Sequence, residues 1–220
     1  MGRIFDLDSP LFSFLNKLAD LIYLNILTMI CCIPLFTIGA SLTALNYVTL
    51  KLVRNEEGYI ARAFFKSFKQ NFKQATIIWL ILLLIAGVLA GDAFIFRYST
   101  LTFPLWAKFA LVAAAFIIVF STMHVFPVLA RFDNPIKYTF KNSLLMGLLS
   151  FPKTIIMIVC WFIPVFAMAY SVRLFPLVFV LGISGPTFLC TLLYNNTFKR
   201  FEPQEEADSP DVSDDGNIEE

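Results

Sequence analysis

Charge is scarce in this sequence: 15% of its 220 residues are Asp, Glu, Lys or Arg, against about 25% in an average soluble chain. Histidine occurs once and cysteine four times. A single histidine cannot build a His-rich metal site. Cys31, Cys32, Cys160 and Cys190 all fall in apolar stretches with no Cys-x-x-Cys spacing. Adjacent cysteines on a helix diverge by about 100°, so the Cys31–Cys32 pair reads as two small buried hydrophobes and not as a redox or zinc site. Also missing are Gly-x-Ser-x-Gly, a phosphate-binding loop, His-Glu-x-x-His and the dinucleotide-binding glycines. These absences argue against an enzyme and leave no metal or cofactor to expect. The start, "MGRIFDLDSP", is acidic and turn-like where a cleavable signal peptide would be basic.

Apolar residues fill the space that charge leaves. They make up 58% of the chain, with a mean hydropathy of +0.74, more than a soluble core can hide. Runs near the roughly 20 residues needed to cross hydrocarbon recur along its length. The expected fold is all-α: a polytopic transmembrane helical bundle in the plasma membrane. Clear spans lie at about 75–96, 108–130, 153–171 and 174–196.

The first 55 residues are ambiguous. Pro10 after Asp8 or Ser9 looks like a helix start, and Pro34 would end that helix near residue 33. After "PLFTIG", ending in Gly39–Ala40 territory, a second helix at 38–54 can return. The rival is one span kinked at Pro34, which membrane helices tolerate. Cytoplasmic loops collect Lys and Arg. Six crossings with both termini inside put 14 cations inside against 3 outside, and five crossings give 12 against 5. The six-span arrangement fits better.

Two loops on the basic side read as amphipathic interfacial helices, at about 59–73 and 135–150. In the first, Arg62, Lys66, Lys69 and Lys73 recur at steps of four, three and four and so share a helical face. Phe65, Phe68 and Phe72 form a second stripe, with Phe64 beside it. Such a helix suits a membrane interface, rings among headgroups and cations toward anionic inner-leaflet lipid, and a plain topology-setting loop packed on its neighbours is the less favoured alternative. In the second loop Asn134 is the expected cap, with Pro135 at the first helical position.

Few polar residues interrupt the spans. His124, near the inner end of one, suits either proton transfer or a hydrogen bond to a neighbouring helix. Asp92 lies five residues before Arg97 at an expected outer boundary, where a pair with Arg97 or water accounts for its charge and a substrate or ion role is the alternative. Pro34 and Gly39, then Gly185 and Pro186 in "VLGISGPTFLC", are candidate helix breaks; broken helices can expose backbone to a solute, or mark close helix packing. Residues 202–220 hold nine of the 16 acidic residues and should be a disordered tail behind a single membrane domain at 1–201.

Together, "NILTMICCIPLFTIGASLTALNYVTLKLVR", "EEGYIARAFFKSFKQNFKQATIIW" and "VFPVLARFDNPIKYTFKNSLLMGL" resemble the YesL-like family of small bacterial integral membrane proteins. That resemblance implies a frequent association with carbohydrate uptake and no assigned catalytic or binding residues. Two functions follow as expectations: a non-enzymatic accessory protein of a sugar transport or sensing complex, or a small solute transporter using the breaks at Pro34–Gly39 and Gly182–Pro186. Neither involves nucleic acid.

Overall fold

The structure, a computed structural model, describes residues 10–56, 58–98 and 104–201. Eight helices follow in order: α1 (Pro10–Cys31), α2 (Ile38–Arg54), α3 (Ile60–Tyr98), α4 (Leu105–Arg131), α5 (Ile136–Leu149), α6 (Phe151–Tyr170), α7 (Phe175–Leu181) and α8 (Ser184–Phe201). No strand occurs among the described residues. Five helical stretches are long and apolar enough to cross a bilayer, and α7 with α8, bent by 56°, make a sixth if taken as one span. The molecule is an all-α polytopic membrane bundle.

The chain reverses between α1 and α2. Pro34 has no N–H to continue a helix, and the backbone turns through residues 32–34 into a single 3₁₀ turn at Leu35–Thr37. The turn's carbonyls find partners: the Thr37 hydroxyl lies 2.6 Å from both Cys31 O and Pro34 O, and Trp79 Nε1 donates to Leu35 O at 2.8 Å. At the other end, Asn55 adopts the left-handed conformation (φ 54°) that ends helices, a region Asn tolerates better than most residues. Its Oδ1 accepts from Lys17 Nζ at 2.8 Å. The start of α1 therefore meets the end of α2, which excludes a single kinked span. The helix break is at 32–34, and Gly39 lies inside α2, not at the break.

α2 is the helix around which the others pack. It contributes to all three apolar clusters: Ala40 with Ala75, Ile78 and Phe126; Ala44, Leu45 and Val48 with Leu24 and Phe64; Leu50 with Val128, Met157 and Tyr194. Its small residues let backbones approach closely. At Gly39 a Cβ would stand 2.5 Å from Ala75 O and 2.7 Å from the Trp79 Cβ.

Four sequence expectations change. First, the basic segment 59–73 and the span 75–96 are one unbroken helix, α3, of 39 residues and about 58 Å. No proline interrupts it, and its first glycine is Gly87. Second, the inward aromatic stripe is Phe64, Phe68 and Phe72, with Phe64 fully buried and successive ring centroids 6.2 and 5.5 Å apart. Phe65 alone of the expected stripe is exposed, because the core face of α3 follows i+3 and i+4 steps through Phe64, Ser67, Ala75 and Ile78. Third, α5 lies along α4, with Gly147 against Phe120 and His124. Pro135 occupies its N-cap position and no side chain caps it. Fourth, Asp92 and Arg97 are exposed and make no ion pair with each other; five residues turn a helix by about 140°, onto different faces. The expected caps Asp8 and Ser9 and the tail 202–220 lie outside the described residues.

Replacing Gly39 with Ala should destabilise the protein by about 1–3 kcal/mol through overpacking against α3. Gly91→Ala, where nothing lies within 4 Å, should be neutral or stabilising by up to about 1 kcal/mol. Thermal unfolding of both variants in detergent checks this; equal melting temperatures would contradict the close approach.

Candidate functional site

The break in the last span is built around a residue of the first helix. α7 ends at Leu181, α8 begins at Ser184, and Gly182 N still donates to Val178 O at 2.7 Å. The next rung of the ladder would join Ile183 N to Phe179 O. Instead, the carboxamide of Asn25, fully buried on α1, is inserted there. Asn25 Nδ2 donates to Phe179 O at 2.8 Å, and Asn25 Oδ1 accepts from Ile183 N at 3.1 Å and Ser184 N at 3.0 Å. One side chain thereby supplies both halves of a missing helical hydrogen bond and one further N–H of α8. Gly185 and Pro186 fall in the first turn of α8, where a missing N–H costs little. Asn25 escaped the sequence reading, although an isolated Asn inside an apolar run is a signal for a buried interhelical bond.

A polar seam continues between α2 and α8. Tyr194 OH donates to Asn46 Oδ1 at 3.1 Å, Thr191 Oγ1 donates to Thr49 Oγ1 at 3.1 Å, and Arg54 Nε donates to Asn195 Oδ1 at 3.0 Å. Beside the seam a cavity of ≈ 160 Å³ opens between α2, α3, α4, α6 and α8, with Asn46, Trp79, Phe126, Met157 and Trp161 in its walls. Of its polar side chains, Asn46 Nδ2 donates to Leu42 O, Thr122 to Ile118 O and Thr187 to Ile183 O, each at 2.7–2.8 Å, which leaves the acceptor lone pairs of the two hydroxyls and the Trp161 indole N–H. What faces the void is mainly apolar and aromatic.

His124 is buried where α4, α5 and α6 meet, and its Nε2 lies 2.9 Å from Thr154 Oγ1. Thr154 Oγ1 also lies 3.1 Å from Ser150 O and 3.2 Å from Gly147 O, and which partner donates to the other depends on the imidazole tautomer. Nδ1 has no partner among the described residues. The imidazole ties α4 to α6 by a direct interhelical bond. No group of three or more metal-ligating side chains occurs among the described residues.

The cations gather at one end of the molecule. Arg62, Lys66, Lys69 and Lys73 are all exposed along one face of α3, and Lys137 and Lys141 are exposed on α5. The face opposite the α3 cations is the buried one, with Phe64 and Ser67. Gln74 Nε2 donates to Asn134 O at 2.6 Å, which fastens α3 to the loop before α5.

Fold and site define a polytopic helical membrane protein with a basic end. Comparison adds a family: residues 21–93, a third of the chain, match the family described as "Protein of unknown function, DUF624". The match takes in most of α1, the reversal, α2 and α3 as far as Ala93, so it contains Asn25, Gly39 and the cationic stripe but not His124. No curated protein and no solved structure matches the chain.

Asn25→Ala leaves the 179 carbonyl and the 183 and 184 N–H groups without their side-chain partner, at about 1–3 kcal/mol for each stranded group. The variant should melt at lower temperature, and Cys190, only 2% exposed, should react with maleimide about tenfold faster or more. Unchanged labelling and melting would show that the break holds without Asn25.

Proposed function

We propose that this chain is a non-enzymatic accessory protein of the plasma membrane, serving a carbohydrate uptake or sensing complex, with its basic end and both termini on the cytoplasmic side. The observation that carries the proposal is the gathering of exposed cations along α3 and α5, on a molecule whose buried polar side chains mostly bond within the protein. Such a molecule offers surfaces, not a reaction centre. Anionic lipid of the inner leaflet is the natural neighbour for the cations. The carbohydrate link comes from the resemblance to YesL-like proteins, which belong to the family matched over residues 21–93; membership of the whole chain in it is part of the proposal.

A second reading, a small solute transporter, draws on the 56° break between α7 and α8 and the cavity near it. Against it stands the lining. A sugar needs convergent donors and acceptors, and this wall is mainly apolar, with Asn46, Thr122 and Thr187 donating their protons within the protein.

Tagged full-length protein recovered from its native membrane should carry a stoichiometric subunit of a sugar transporter or sensor. Saturable uptake of labelled sugar by the purified protein alone in vesicles would instead establish the transporter.

A further inference from the structure

Where the cationic half of α3 gives way to its apolar half, a groove of ≈ 680 Å³ opens between α3 and the start of α5. One bank carries Gln70, Lys73 and Ile77, and the other Ile136, Lys137 and Tyr138. The banks are fixed to each other by the Gln74 to Asn134 bond at 2.6 Å. Lys73 and Lys137 are exposed on opposite sides, and no acidic residue lines the groove. Directly beyond Ile77, α3 presents exposed Leu80, Leu83 and Leu84.

We infer that this groove holds the phosphate headgroup of an anionic phospholipid between Lys73 and Lys137, its acyl chains lying along α3 past Ile77. The inference rests on the basic end facing an anionic leaflet and names the site on that end. Two ammonium groups with no acid among the lining residues suit a headgroup with net negative charge over a zwitterionic one. The Gln70 carboxamide and the first-turn N–H groups of α5 supply further donors to phosphate oxygens. Apolar side chains continuing from the same groove are what an acyl chain covers and a free anion does not, so a lipid is the occupant and not dissolved phosphate.

Native mass spectrometry of the full-length protein, titrated in detergent with phosphatidylglycerol or phosphatidylcholine, tests the site. Phosphatidylglycerol should be retained in preference, and Lys73→Gln/Lys137→Gln should weaken it about 30-fold, the combined effect of two cations at an anionic surface. Arg62→Gln/Lys66→Gln, outside the groove, should lose less than about threefold by the same measure. Lys73→Arg/Lys137→Arg should keep most of the binding, which separates charge from misfolding. Equal losses from the two Gln pairs would overturn the groove while leaving the lipid contact of the basic end standing. Absence of any phosphatidylglycerol preference in the unaltered protein would remove that contact itself. Displacement of the lipid by millimolar inorganic phosphate would overturn the lipid in favour of a free anion.

Discussion

Backbone groups released by a broken helix must find partners inside the protein, because hydrocarbon offers none. In this bundle that constraint is met by Asn25, whose carboxamide stands in for the bond between Phe179 O and Ile183 N. Meeting it requires α1 to lie beside the α7–α8 break, and α1 can lie there only because the chain reverses at residues 32–34. The reversal in turn places α2 at the centre, against α1, α3, α4 and α8. Small and polar residues make α2 weakly apolar; the small ones let it pack closely, and Thr49 and Asn46 accept bonds from Thr191 and Tyr194.

The helical hairpins are staggered along α3. The turn between α1 and α2 docks at Ala75 and Trp79, so α2 pairs with the cationic half of α3, and residues 80–98 run on for about 28 Å. A hydrocarbon layer of about 30 Å cannot cover the whole of α3. Exposed apolar side chains mark its second half, Leu80, Leu84, Val88 and Phe94 among them, and also the turn between α1 and α2, with Ile33, Leu35 and Phe36. Because α1 and α2 are antiparallel, the N-terminal end of α1 stays on the same side as the start of α3 however deeply the hairpin is inserted.

Much of this was legible in the residues. Long apolar runs announced α3, α4 and α6 because crossing hydrocarbon demands a length that composition reveals directly. Pro34 announced the turn by removing a donor, and steps of four, three and four announced the cationic face at Arg62, Lys66, Lys69 and Lys73. Tertiary partners were not legible. Phe64 and Phe65 are adjacent and chemically identical, and only the position of α2 decides which is buried. The continuity of α3 was hidden by a change of composition at residues 73–75 that invites a boundary, although no proline or glycine stands there to make one. Asn25 was overlooked because its partners lie more than 150 residues away in the chain.

Reversal at Pro34 with the basic end facing the cytoplasm is the central claim, and side-specific labelling tests it most directly. In a variant lacking the four natural cysteines, single cysteines replace Arg3, Asn55 or Arg97, and intact cells are treated with a membrane-impermeant maleimide. Arg97→Cys should label at once, and Arg3→Cys and Asn55→Cys only after the membrane is opened. Labelling of Arg3→Cys but not of Asn55→Cys in intact cells would contradict the reversal, and labelling of both with Arg97→Cys protected would contradict the orientation.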